Sequence, residues 1–176
     1  NTESIETVVE TAELAIENGF QLCVHAIGDR ANREVLDIYE AAFAKDHAGM
    51  RQRWRIEHAQ HLHPDDIPRF GKLGVIASMQ AVHCTSDAVF VPTRLGMRRS
   101  GEGAYVWKSL IDSGAIVTNG TDATVESINP MNSIYASVTR QVSPGVTFFP
   151  EPVMSREQAL RSYTIDCAYA AFEETS

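Results

Sequence analysis

Apolar residues along this chain recur with two spacings, one typical of helices and one typical of buried strands. Residues 5–16 carry apolar side chains at the spacing of one helix face, and Asn18 followed by Gly19 is typical of a helix end. Four short apolar runs come later, each bounded by turn residues and too brief to form a helix. We predict strands at 20–26, 54–58, 75–79 and 115–119.

Helical patterns lie between these predicted strands. One helix is expected soon after Gly28, and another begins at Pro64, because proline suits the first position of a helix. The segment 80–103 has no clear period, so we predict a long functional or mobile loop there. A helix is predicted over 104–112, directly before the last strand.

Only helices are predicted after the last strand. One begins near Pro130, and another spans 155–171, where Ser155 and Gln158 have the spacing of a capping box. No hairpin signal of the Asn-Gly or Asp-Gly kind stands between the predicted strands. Strict alternation of strands and helices implies a parallel sheet.

Two α/β architectures accommodate this order. One is an open doubly wound sheet, and the other is part of a closed (β/α)8 barrel of the TIM type, which ordinarily takes about 250 residues. The chain has 176 residues, a length suited to one domain. We therefore predict a single domain over 1–176 that supplies about four strand-helix units, or half a barrel, and comes from a longer chain.

Composition narrows the classes of partner. The net charge is −8 and no block of lysine or arginine occurs, which disfavours nucleic acid and anionic membrane surfaces. No apolar run approaches the roughly 18 residues that span a bilayer. The three cysteines are odd in number and lack CxxC spacing, which favours a reducing compartment such as the cytoplasm. A small-molecule substrate is the partner we expect.

Three of the predicted strands end near a residue suited to binding a metal. These residues are His25, His58 and Asp122, separated by about one and two strand-helix units of about 30 residues. In a barrel the carboxyl ends of different strands meet at one mouth, whereas in a doubly wound sheet they diverge. Alternation also places His25 with Gln21 and Cys23 on the smaller, polar face that suits a barrel interior.

Imidazole and carboxylate together are good ligands for zinc or a similar divalent ion. Such an ion lowers the pKa of a bound water to about 7, and a nearby carboxylate can then accept its proton and pass it to a leaving amine. Asp122 is our candidate for that carboxylate. Taken singly, each histidine could instead be a hydrogen-bonded structural residue, and Asp122 could be a cap or turn residue.

Three motifs at these strand ends resemble the amidohydrolase superfamily. They are VHAIGDRA at 24–31, IEHAQ at 56–60 and NGTD at 119–122. More narrowly they resemble its YtcJ-like branch, amidohydrolase family 3, which includes N-substituted formamide deformylases. The segments around 78–83, 129–140 and 159–164 are similar to that branch as well. The resemblance covers nearly the whole chain.

The resemblance implies a barrel in which His25 and His58 close the fifth and sixth strands and Asp122 closes the eighth. His25, His58 and Asp122 would then be metal ligands, Asp122 an acid and base, and His83 a substrate contact. The His-x-His pair of the family's first strand, its fourth-strand ligand and its small β-domain have no match here. The sequence His61-Leu62-His63 has that spacing, but it lies after a strand and is predicted to be loop.

Several other polar residues have two interpretations each. Asp29 either orients a metal ligand or caps a helix. Glu57 neighbours His58, so we expect it to point to the opposite face and to pair with an arginine behind the barrel. The arginines of 94–99 either bind an acidic substrate group or lie on a solvated loop.

The sequence therefore supports three hypotheses of unequal weight. The first is a metal-dependent hydrolase of carbon-nitrogen bonds in amides, formamides or cyclic amides, with zinc as the ion and activity in the full-length form. The second is a non-catalytic half-barrel that associates with itself or with the missing half, because it leaves strand edges and an apolar interior exposed. The third is a metal-free barrel that binds phosphate. It is the weakest of the three because Gly120, at the end of the last strand, is not part of a glycine-rich phosphate loop.

Overall fold

The computed structural model describes residues 3–149 and 153–175. Within these ranges one parallel sheet runs in the order β1-β2-β3-β4. Its strands are β1 (Cys23–Ala26), β2 (Arg55–His58), β3 (Ile76–Met79) and β4 (Val117–Asn119). Sequential order without reversal is the order of a barrel, whereas a doubly wound sheet changes direction at a switch point. The doubly wound alternative is therefore excluded.

Helices connect and flank these strands. They are α1 (Ile5–Asn18), α2 (Asp29–Lys45), α3 (Ile67–Leu73), α4 (Ala81–Ser86), α5 (Val91–Leu95), α6 (Met97–Gly103), α7 (Trp107–Asp112), α8 (Pro130–Thr139), α9 (Arg156–Tyr163) and α10 (Ile165–Ala170). The end signals act as predicted: Gly19 ends α1 with a φ of 71°, and Ser155 forms its capping box with Gln158. No helix in the described ranges is both long and apolar enough to cross a bilayer.

The segment predicted as a loop over 80–103 is instead a chain of short helices. It holds α4, α5 and α6 with a single 3-10 turn at Asp87–Val89. Each helix has only five to seven residues, so none is long enough to show a 3.6-residue repeat in the sequence. The prediction of an irregular loop was wrong because these helices are stabilised by packing rather than by an amphipathic pattern.

The remaining differences concern element boundaries. The first strand begins at Cys23 rather than at residue 20, the helix before β4 begins at Trp107 rather than at 104, and the last helix breaks at Thr164. A small antiparallel pair, β5 (Gln141–Ser143) with β6 (Val146–Thr147), was not predicted. Its turn is Pro-Gly at 144–145, which lacks the usual hairpin signal.

The two faces of the sheet differ in chemistry. Ala26, Ile56 and Val117 face the helices and belong to the buried core. The opposite face carries Arg55 and Glu57, whose side chains form an ion pair of 2.6 Å. Because Glu57 pairs with Arg55 of its own strand, on the face opposite the core residues, the predicted partner behind the barrel was wrong. Residues that are two positions apart on one strand share a face, so Arg55 can pair with Glu57 and no partner from the helix layer is needed.

An aromatic cluster anchors the end of the sheet where the strands begin. Trp54 is fully buried, and its ring centroid lies 4.8 Å from that of Tyr39 and 5.0 Å from that of Phe43. Its indole Nε1 donates to the Phe20 carbonyl at 2.9 Å and to Gln52 Oε1 at 3.0 Å. This cluster joins α2 to β2 and fixes the strand whose other end is His58.

Candidate metal centre

The carboxyl ends of the strands bring four polar side chains to one place. The rings of His25, at the end of β1, and His58, at the end of β2, lie edge to face with centroids 4.4 Å apart. The ring of His83, in α4 just after β3, has its centroid 6.1 Å from that of His58. Asp122 follows β4 and lies beside His83. The structure thus brings the predicted site residues to the same end of the sheet, but the group whose ligand atoms lie close together is His58, His83 and Asp122, with the predicted substrate contact His83 in the place predicted for His25.

A left-handed backbone turns His58 toward this group. Regular alternation would place its side chain with Ile56 on the helix-facing side of β2, but its φ of 77° ends the strand. Such a conformation in a residue other than glycine costs on the order of 1–3 kcal/mol and is common at functional sites. The ring consequently comes to lie against His25.

The orientation of the His58 ring is held by Gln80. The ring Nδ1 lies 2.8 Å from Gln80 Oε1, and since an amide oxygen only accepts, Nδ1 carries the proton and Nε2 keeps its lone pair. Burial lowers the pKa of His58 below its ordinary value. Neutral imidazole with one nitrogen free is the form that binds a metal.

His83 lies between two carboxylates. Its Nε2 is 3.4 Å from Asp122 Oδ2, and its Nδ1 is 3.5 Å from Glu126 Oε1. The side chain is 7% exposed and belongs to the first turn of α4, so its predicted place in a loop was wrong. Burial between these two carboxylates fixes this histidine more firmly than a solvated loop would.

Asp122 sits at a sharp turn after β4. Its φ is 52°, and its carbonyl accepts a hydrogen bond of 2.7 Å from the amide of Val125. The carboxylate is 36% exposed, so one side of it remains open to solvent or to a ligand. A carboxylate that is both fixed by its backbone and accessible can bind a cation or exchange a proton.

The donor atoms suit a divalent ion. One ligand atom each from His58, His83 and Asp122 lies within 4.8 Å of the other two. In a tetrahedral site with bonds of about 2.0–2.1 Å, ligand atoms stand about 3.3 Å apart, close to the 3.4 Å between His83 and Asp122. Two imidazoles and one carboxylate are also the donor types that zinc prefers. The residues present therefore fit such an ion.

Two residues of this site escaped the sequence analysis. Gln80 directly follows the predicted strand that ends at Met79 and lies in the segment 78–83 that resembles the family, but neither signal indicated that it bonds to His58. Glu126 lies four residues after Asp122 in a segment without a periodic pattern, so nothing in the sequence indicated that it meets His83.

The other singled-out residues lie outside this group. Asp29 is the first residue of α2 and forms a 2.6 Å ion pair with Arg99, so Gly28 and not Asp29 occupies the cap position. His63 caps the 3-10 turn at Pro64–Asp66, and His61 forms a single bridge with Ala104. The prediction that the 61–63 pair is loop is therefore consistent with the structure.

Arg94 and Arg98, near Arg99 in the sequence, also have partners outside the group at the strand ends. Arg98 pairs with Glu102 at 2.6 Å, and the guanidinium of Arg94 lies 4.8 Å from the ring centroid of Phe90. Both arrangements fit the solvated alternative considered for these residues.

Comparison with known proteins places this arrangement in a family. The sequence model that defines the amidohydrolase family matches residues 1–176 of this chain. The protein LONG AFTER FAR-RED 3 of Arabidopsis thaliana is 40% identical over 160 residues, which are 90% of this chain and 27% of that protein. The protein named "Putative amidohydrolase YtcJ" of Bacillus subtilis (strain 168) is 30% identical over 174 residues, 97% of this chain and 32% of that protein.

A solved structure supports the same conclusion for the fold. An uncharacterized metal-dependent hydrolase from Pyrococcus furiosus superposes with a TM-score of 0.79 and 33% identity, over 98% of this chain and 33% of that chain. This chain therefore spans between 27% and 33% of the length of these relatives. The predicted half-barrel fold and the resemblance seen in the motifs are both confirmed, and the chain belongs to the amidohydrolase family.

Proposed function

We propose that this chain is the C-terminal half of the barrel of a metal-dependent hydrolase that acts on carbon-nitrogen bonds. One observation carries the proposal: His58, His83 and Asp122 each offer a ligand atom within 4.8 Å of the others. The names of the Bacillus and Pyrococcus relatives, an amidohydrolase and a metal-dependent hydrolase, support it. Residues 1–176 act as a single domain within a longer polypeptide, and the activity belongs to that complete polypeptide.

His58, His83 and Asp122 would hold the ion in this proposal, with His25 beside His58 as a fourth proposed ligand, and zinc is the ion that fits these donors best. When bound, the ion polarises a carbonyl oxygen and lowers the pKa of a water molecule toward 7. Gln80 holds the proton on His58 Nδ1 and so leaves Nε2 as the nitrogen that would be free to bind the ion. The ring of His83 stands beside Asp122, so it would also contact a substrate bound at the ion.

Asp122 moves the proton in the proposed reaction. Its carboxylate accepts a proton from the attacking water and returns it to the nitrogen of the leaving amine. The turn that fixes Asp122 limits the distance over which the carboxylate moves, and its open side admits the substrate. Small amides, formamides or cyclic amides are the proposed substrates, and the cytoplasm is the proposed location. The net charge of −8 disfavours nucleic acid as a partner.

Removal of the metal is expected to abolish hydrolysis by the complete polypeptide. Purified protein would be treated with a chelator, assayed for amine release from a panel of formamides, amides and cyclic amides, and assayed again after Zn²⁺ is restored. Activity should fall to background and return with zinc, because no protein group replaces the Lewis acid.

Two histidine variants give this experiment its internal control. His58→Ala removes a proposed ligand and should lower zinc content, whereas His63→Ala removes a half-exposed histidine of the following loop and should not. Hydrolysis that continues unchanged without metal would reject the proposal. Equal zinc content in the two variants would reject His58 as a ligand.

A groove beside β1 favours a second candidate function, association without catalysis. In the described sheet β1 pairs only with β2, so its other edge is open. The groove beside that edge has a volume of about 690 Å³ and lies between α1 and α2. Its lining includes Val8, Leu22 and Val35, an apolar surface that a second copy or the missing half could cover.

We expect the isolated chain to form dimers or larger species at micromolar concentration, measured by light scattering. Val8→Lys places a charge in the groove and should shift the chain toward monomer. Leu14→Lys, on the exposed side of the same helix, is the matched control and should leave the size unchanged. A monomeric wild-type chain would exclude this function.

A further inference from the structure

A buried polar network lies beneath the candidate site, between the ends of β3 and β4. It contains Asn119, the last residue of β4, and Ser133 and Ser137, which follow one another on successive turns of α8. Asn119 is 6% exposed, and the two serines are fully buried. Buried polar groups of this kind are retained only when they are hydrogen-bonded, so the partners of each atom show what the network holds.

The backbone ladder ends below the site residues. The amide of Gly120 donates to the carbonyl of Met79 at 3.0 Å, and beyond this bond the two strands separate into turns. The turn after β3 begins α4, which carries His83, and the turn after β4 carries Asp122. The first amides of a helix need partners from outside the helix, and the side chain of Gln80 is bound to His58 instead.

Asn119 and Ser133 supply those partners. Asn119 Oδ1 accepts from the amide of Ala81 at 2.9 Å, and its Nδ2 donates to Ser137 Oγ at 2.9 Å. Ser133 Oγ accepts from the amide of Val82 at 3.2 Å. Asn119 of β4 and Ser133 of α8 therefore cap α4, the helix that follows β3.

The hydroxyl of Ser133 also makes a second bond. It donates to the carbonyl of Gly120 at 3.1 Å, two residues before Asp122. A single oxygen thus joins the amide next to His83 to the carbonyl at the start of the turn that carries Asp122. The connection between the two strands continues through this side chain past the point where the ladder ends.

We propose that Ser133, supported by Asn119, is a positioning residue that holds His83 and Asp122 in register at the proposed metal centre. This inference rests on the proposed function, because it concerns the same site. The distance it controls is the 3.4 Å between His83 Nε2 and Asp122 Oδ2. The polar side-chain atoms of Ser133 and Asn119 are bonded to backbone groups and to Ser137, so both residues act through the segments that they join.

A purely structural role makes a different prediction. The Gly120 carbonyl also accepts a bond of 2.7 Å from the Tyr163 hydroxyl, so loss of the Ser133 hydroxyl leaves that carbonyl satisfied. What is lost is the link to Val82, and the consequence should therefore appear at the site rather than in stability alone. Partners that orient metal ligands typically change affinity or activity about 10- to 100-fold when removed.

The test compares Ser133→Ala with Ser100→Ala in the complete polypeptide. Ser100 is also fully buried, but its hydroxyl donates to the Gly96 carbonyl at the start of its own helix and, among the described residues, joins no second segment, so it matches the loss of a buried hydroxyl. Co²⁺ is the probe, because its visible absorption reports ligand geometry and its titration gives a dissociation constant. Thermal unfolding of both variants measures the structural effect separately.

Ser133→Ala is expected to weaken Co²⁺ binding by about 10- to 100-fold and to change the absorption band, whereas Ser100→Ala should leave both as in the wild type. If Ser133→Ala binds Co²⁺ like Ser100→Ala while the wild type binds it, the positioning role is overturned and the proposed function stands. If the wild type binds no Co²⁺, both fall. Should Ser133→Ala not fold, Asn119→Ala, which removes the bond to Ala81, takes its place with the same outcomes.

Discussion

Asp122→Asn is expected to lower kcat of the complete polypeptide by about 10²- to 10⁴-fold, the contribution typical of a positioned acid and base. The amide has nearly the shape of the carboxylate and keeps one oxygen for the ion, but it cannot accept and return a proton. Zinc content should therefore fall much less than the rate of hydrolysis. Metal analysis and amine release, measured on the same preparation, separate the two effects.

Asp112→Asn is the control for this prediction. It makes the same chemical change on the last residue of α7, before β4 rather than after it, where the carboxylate is 59% exposed and pairs with Lys108. Its kcat should match that of the wild type, because an exposed ion pair contributes little. If Asp122→Asn kept more than about a tenth of wild-type kcat, Asp122 would not be the proton acceptor.

Trp54→Ala is expected to reduce the free energy of unfolding by about 3–5 kcal/mol, the range for removing a large aromatic side chain from a core. The indole is fully buried against Tyr39 and Phe43, and the collapse of β2 against α2 cannot fill the space of two rings. Its loss also leaves the Phe20 carbonyl without the indole donor. Urea unfolding monitored by circular dichroism measures the change in the free energy of unfolding.

Phe20→Ala is the matched control for the loss of an aromatic ring. Its side chain is 67% exposed, although its carbonyl accepts the bond from Trp54, and truncation leaves that carbonyl in place. We expect a change within about 0.5 kcal/mol. A loss below about 1 kcal/mol for Trp54→Ala would show that the cluster is not a packed core.

Much of the fold followed from local pattern. Apolar runs too short for helices gave the strands, and their alternation with helical stripes gave a parallel sheet, because parallel strands need crossover connections. The sequence also placed His25, His58 and Asp122 at strand ends, and the sheet order then brought those ends together. That inference needed no side-chain contact, since the carboxyl ends of parallel strands share one edge.

Contacts between distant segments could not be obtained in this way. The pairing of Glu126 with His83 and the bridge of Ser133 between Val82 and Gly120 join residues that no periodicity relates. The short helices over 80–103 were not predicted for the same reason, because packing with distant segments stabilises them rather than an amphipathic stripe of their own.

The sequence by itself therefore determined the order of strands and helices, the parallel sheet and the residue types that stand at its carboxyl end. These depend on apolar spacing and end signals, which act over a few residues. Only the tertiary structure decided that Gln80 orients His58 and that His83 lies between two carboxylates. Such geometry depends on left-handed turns at His58 and Asp122 and on hydrogen bonds across the sheet, which form only after the strands have packed.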